Sequence, residues 1–152
     1  MVIVVPFDGS ELARTALLHA ENASKLYANP VVAVTAVPRG NAGYASDREW
    51  IADGARFDME TIVAHLREQV TDVVPESEFR HLPVPRYSSS GAISSQLRRF
   101  AKDLDASAVF IGSENAGRIV VGMGSVGGRV AADPEYDVAI IRQPLPEAES
   151  AS

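Results

Sequence analysis

Val2-Ile3-Val4-Val5-Pro6-Phe7-Asp8-Gly9-Ser10 opens the chain, and the fold turns on how this stretch is read. A continuous run of β-branched residues lacks the alternation of a half-exposed strand and matches a strand buried on both faces, as in parallel sheets. Asp8-Gly9 reads as a turn, and Ser10 stands where a helix N-cap belongs. From Glu11 to Ala28 the apolar residues Ala13, Ala16, Leu17, Ala20, Ala23 and Tyr27 recur at helical spacing, so a helix follows at once. Strand, tight turn and amphipathic helix form the first half of a βαβ unit.

The rest of the chain repeats that alternation. Asn29-Pro30 ends the first helix, Val31 to Val37 is a second apolar strand, and Pro38-Arg39-Gly40-Asn41 breaks it. Ile51, Ala55, Met59, Ile62, Leu66 and Val70 step by three or four, which predicts one long helix with Gly54 inside it. Phe79 to Val84 reads as a third strand ending at Pro85, and Ser88-Ser89-Ser90-Gly91 as a flexible loop. Ile93, Leu97, Phe100, Ala101 and Leu104 mark a further helix. Ala106 to Gly112 and Asp137 to Arg142 are strands four and five. Between them a glycine-rich stretch leads to a short helix opened at Ser125 and ended by Pro134. The expected fold class is α/β: an open, doubly wound, five-stranded parallel sheet sandwiched by about four helices. Residues 1–145 read as one domain and 146–152 as a disordered tail.

Composition narrows the function. The chain has 152 residues, no cysteine and a formal charge of −6, from 20 acidic against 14 basic side chains. Without cysteine there are no disulfides, thiolate metal sites or cysteine nucleophiles. The acidic balance argues against nucleic-acid or anionic-membrane partners, which call for a basic surface. No stretch approaches the roughly 20 apolar residues that span a bilayer, and Asp8 interrupts the apolar start too early for a signal peptide. A cytoplasmic location is expected. His19, His65 and His81 fall on three different elements with no partner at ligand spacing, and neither a Ser-His-Asp arrangement nor a carboxylate pair at a strand end is legible. No catalytic residue and no metal site is assigned.

In a doubly wound sheet, ligands bind beyond the carboxyl ends of the strands, where the strand order reverses. Three segments fall there: Pro6-Phe7-Asp8 with its turn, Ala36-Val37 closing strand two, and Gly112-Ser113 with the residues that follow strand four. Six of the 11 glycines lie between Gly112 and Gly128. Glycine lets backbone approach a ligand closely, and Gly124-Ser125 opens a helix whose free N–H groups and dipole favour an anion. Arg118 adds a cation that can pair with phosphate or simply be solvated. Each feature also has a plainer reading. The glycines can simply make turns, Gly124-Ser125 can be no more than a capped helix start, and Asp8 can cap the first helix rather than accept a hydrogen bond from a sugar hydroxyl or base amine.

Both ends of the chain resemble the universal stress protein A family. Residues 3–17, IVVPFDGSELARTAL, are similar to that family's apolar strand, V-D-x-S and alanine-rich helix. VFIGS at 109–113, the glycine loop, the GS-opened helix and VAIIRQP at 138–144 are similar to its closing half. The resemblance implies a Rossmann-like fold of the adenine nucleotide alpha hydrolase type. It also implies an adenine nucleotide, ATP or AMP, as ligand, and a homodimer formed by antiparallel pairing of the last strand, residues 137–142. An edge position for Val138-Ala139-Ile140-Ile141 would leave backbone groups open to a symmetric copy, whereas a central position would not. By the resemblance, Asp8 contacts the adenine side, Ala36 or Val37 touches the base, and Gly112, Gly117 (by loop analogy only), Gly124, Ser125 and Val126 line the phosphates; Pro6, Phe7, Ser113 and Arg118 flank these positions and complete the expected site. The family's nucleotide-binding pattern is G-x2-G-x9-G-[ST]. Here Asn115 stands at the middle glycine, Gly117 is the nearest substitute, and 11 residues rather than 12 separate Gly112 from Gly124. The expected function is a nucleotide-binding stress or signalling module. A ligand-free interaction protein of the same fold and a slow ATP hydrolase are the alternatives.

Overall fold

The computed structural model of the protein describes residues 1–112 and 136–143. β1 (Val2–Pro6) leads into α1 (Glu11–Tyr27), followed by β2 (Val31–Pro38), α2 (Ala42–Asp47), α3 (Met59–Val73), β3 (Glu78–Val84), α4 (Ser90–Asp103), β4 (Ala106–Gly112) and β5 (Asp137–Ile141). The five strands form one sheet in the order β3-β2-β1-β4-β5, and every neighbouring pair is parallel. The chain winds outward from β1 through β2 to β3, then returns to the other side of β1 for β4 and β5. The order therefore reverses between β1 and β4. The α/β, doubly wound reading of the sequence holds.

Burial follows the position of each strand. All eight residues of β2 are buried, as expected for a central strand covered on both faces. β3 and β5, at the two edges, mix exposed with half-buried positions, and only β3 has buried ones. α1 and α3 cover one face, where Leu17, Ile62 and Leu66 are sealed against Ile3, Val5 and Val37. α4 covers the other, with Ile93 and Leu97 against Val4, Val34 and Val109. Each large aliphatic side chain so buried contributes about 1.5–3 kcal/mol.

Two local expectations are corrected. The long helix predicted from Ile51 is instead an irregular segment followed by α3, which begins only at Met59, and the short α2 before it was not foreseen. Gly54 lies in a turn at φ +78° and Asp58 is extended, so no helix passes through them. Ile51 still packs on the core, but from a loop. Its place in the helical stripe came from burial, not from periodicity. Of Ser88-Ser89-Ser90-Gly91, Ser88 alone lies in the connection, and the rest starts α4: the Ser89 hydroxyl accepts a hydrogen bond from the Ala92 N–H at 3.1 Å, and Ser90 is already helical. The glycine loop, the helix expected at Ser125 and the tail 146–152 lie outside the described residues.

Candidate functional site

The site is built from the turn after β1. Ser10 caps α1 from an extended conformation, accepting the Ala13 N–H at 3.2 Å, and its own N–H donates to Asp8 Oδ1 at 2.9 Å. Asp8 thus supports the cap instead of being it, and Oδ2 has no partner among the described residues. Gly9 adopts φ +85°, a conformation that side chains disfavour. The backbone on either side is anchored by neighbours: the Thr35 hydroxyl, buried in β2, donates to the Phe7 carbonyl at 2.5 Å, and the Trp50 indole N–H donates to the Asp8 carbonyl at 2.8 Å. The turn is held from the β2 side and from the α2 segment at once, leaving the exposed Asp8 carboxylate at the carboxyl end of β1.

On the other side of the reversal point, β4 ends at Gly112 against the first turn of α1. A Cβ at Gly112 would overlap the carbonyl group of Leu12 and lie 2.7 Å from the Ala13 nitrogen. Only glycine permits this approach of strand end to helix start. Its role in the described structure is therefore one of close packing, and it sets the end of β4 against the helix that follows the Asp8 turn.

The other predicted residues divide by location. Pro6 is half-buried and pairs in register with Val34. Phe7 and Val37 are buried in the core under α1 and α3, and Ala36 is buried in the core under α4. Their side chains serve packing, so what they offer a ligand at the strand ends is main chain. Ser113, Gly117, Arg118, Gly124, Ser125 and Val126 lie outside the described residues. Among the described residues no three His, Asp or Glu side chains gather where a metal could be held, and no helix is long and apolar enough to cross a membrane.

Sequence reasoning missed an aromatic group over the same edge. Asn41 caps α2 by accepting the Tyr44 N–H at 3.0 Å and donates to the Arg86 carbonyl at 2.7 Å, fixing the segment across the ends of β2 and β3. The Arg48 guanidinium lies 3.4 Å from the Tyr44 ring centroid, and Trp50 packs on the same ring at 5.7 Å and 58°. Burial pushes the Tyr44 phenol above its usual pKa; the Arg48 charge opposes this shift and the Asp8 charge reinforces it. The available signal was a lone tryptophan just before the stretch that helical spacing had claimed.

A doubly wound sheet with an exposed carboxylate and a glycine-permitted close approach at its reversal point defines an open α/β protein, a class whose ligands bind in the crevice at the strand ends. The profile of the universal stress protein family matches residues 1–142, and the chain belongs to that family. Solved structures share its fold. A universal stress protein from Archaeoglobus fulgidus in complex with dAMP is 23% identical, with 93% of this chain and 97% of that one covered at a TM-score of 0.60. A universal stress protein in complex with cAMP is 20% identical, with 93% and 95% covered and a TM-score of 0.58. A family member from Burkholderia pseudomallei is 20% identical, with 93% and 96% covered and a TM-score of 0.57. Comparison with curated proteins returned no match.

Proposed function

We propose that the protein is a nucleotide-binding universal stress protein module that holds AMP or ATP across the carboxyl ends of β1, β2 and β4. The observation that carries this reading is the β1 turn. Its backbone is held from two sides, its carboxylate is exposed, and the helix it leads into packs so closely on the end of β4 that only glycine fits there. The solved complexes with dAMP and cAMP support the adenine assignment, since those proteins share the fold. In this account Asp8 accepts from the adenine side, the main chain at Ala36 and Val37 lines the base, and Gly112, Ser113, Gly117, Arg118, Gly124, Ser125 and Val126 hold the phosphates. Backbone N–H groups and Arg118 supply the positive field that the acidic chain otherwise lacks. The module acts in a stress response or in signalling rather than as a hydrolase. It pairs with a second copy through β5, which stands at the edge of the sheet among the described residues.

The loop spacing favours one competing reading, a ligand-free interaction module. Calorimetric titration with AMP, ADP and ATP separates the two. Saturable binding that Gly124→Val abolishes supports the nucleotide reading, and no heat at millimolar nucleotide overturns it. Sedimentation tests the pairing: a dimer at micromolar concentration supports it, and a monomer at high micromolar concentration removes it.

A further inference from the structure

The α2 segment carries a polar group that the family pattern does not assign. Tyr44 packs against the clusters on both faces of the sheet, so its ring lies across the carboxyl edge rather than within one layer. Arg48 sits over the ring at 3.4 Å, and Trp50 packs against it at 5.7 Å. The same indole donates to the Asp8 carbonyl. One side chain therefore touches both the Tyr44 ring and the Asp8 backbone, and it fixes the two residues relative to each other. With the ring packed, the group left for a ligand is the phenol hydroxyl, which has no hydrogen-bond partner among the described residues. Asp8 Oδ2 is likewise without a partner there, while Oδ1 is occupied by the Ser10 N–H. The Asp8 charge acts on the phenol, and burial keeps the phenol protonated through neutral pH. The hydroxyl is thus a standing donor on the same strand-end edge as a carboxylate that accepts, the two residues linked through Trp50.

We propose that Tyr44 is a specificity-determining residue of this site: its hydroxyl donates to ring nitrogen N1 of adenine while Asp8 accepts from the exocyclic amine. The inference rests on the nucleotide reading above and assigns that site its base-reading pair. An acceptor nitrogen next to an amine donor is what the amine-bearing edge of adenine presents, so one donor and one acceptor match it.

A chemical double-mutant cycle tests the contact. Wild type and Tyr44→Phe are titrated with AMP and with 1-deaza-AMP, which carries C–H in place of N1. Phenylalanine keeps the ring and its packing against Arg48 and Trp50, so the fold is preserved, and thermal melting of the variant verifies this. The expected result is that Y44F weakens AMP about three- to tenfold, the worth of one neutral hydrogen bond, and leaves 1-deaza-AMP unchanged. Equal weakening of both ligands would show a purely structural role and overturn the assignment, as would no weakening of either. Wild type that binds AMP without this coupling refutes Tyr44 alone. Wild type that binds no AMP refutes the nucleotide reading, and this inference with it.

Discussion

Replacing Gly112 by alanine tests whether the end of β4 and the start of α1 meet as closely as described. The added Cβ would overlap the Leu12 carbonyl group and sit 2.7 Å from the Ala13 nitrogen, where ordinary contact begins at 3.4 Å. The helix start must therefore back away by at least 0.7 Å, and the atoms in the way are backbone that cannot rotate aside. Gly112 does not have a positive φ, so the penalty is steric and not conformational. Forcing extra volume into a packed interior costs about 1–3 kcal/mol. A clash with main chain belongs at the upper end, near 3 kcal/mol. For a chain of this size each kcal/mol lowers Tm by about 2–4 °C, which predicts a fall of about 6–12 °C. Thermal unfolding followed by far-ultraviolet circular dichroism and by Trp50 fluorescence measures it. Gly43→Ala is the matched control. Gly43 lies inside α2, its added Cβ would meet Asn41 Oδ1 at a comfortable 3.7 Å, and alanine's better helix propensity should hold or raise Tm. A G112A protein melting within about 2 °C of wild type would refute the close approach, since even 1 kcal/mol shifts Tm that far.

Two further predictions concern the same edge. Ser10→Ala removes the hydroxyl that accepts the Ala13 N–H and should cost about 0.5–2 kcal/mol in urea unfolding; unchanged stability would mean that the cap contributes nothing. Tyr44 gives a pH dependence with a definite sign. Burial raises its pKa in the folded state, so the stability contributed by the neutral phenol is fully present below the unfolded value of about 10 and declines as pH rises through it toward the folded value. Y44F should lose less stability than wild type between neutral and strongly alkaline pH, and identical alkaline profiles would contradict a raised Tyr44.

The strands were legible because their residues carry the signal alone. Val2 to Pro6 and Val31 to Val37 are apolar on both faces, and only a central parallel strand tolerates that. The turn at Asp8 was legible too, since Ser10 and Gly9 are the residue types that a cap and a left-handed turn require. The α2 region was misread because burial and periodicity coincide there. Ile51 faces the core, as a helix residue at that step would, but it does so from an irregular segment pinned by the Trp50–Asp8 bond, a contact 42 residues long. Tertiary pairing of that kind has no local trace. The triple serine before α4 misled in the opposite direction, because serine suits both loops and N-caps and only the Ala92 bond decides between them. Of the site itself, Asp8 and Gly112 could be placed from strand ends alone. Tyr44, Arg48 and Trp50 could not, because they reach the edge through the fold of a loop.

The most direct test of the account is a map of backbone amide shifts on adding AMP to the isotope-labelled protein. Nucleotide held at the strand ends should move the amides of Asp8, Gly9, Val37, Tyr44 and Gly112. It should leave Asn29 and Ser107 still; these two are hydrogen-bonded to each other at the opposite, amino-terminal edge of the sheet. Shifts confined to that opposite edge, or none at saturating AMP, would contradict a nucleotide site at the β1–β4 reversal.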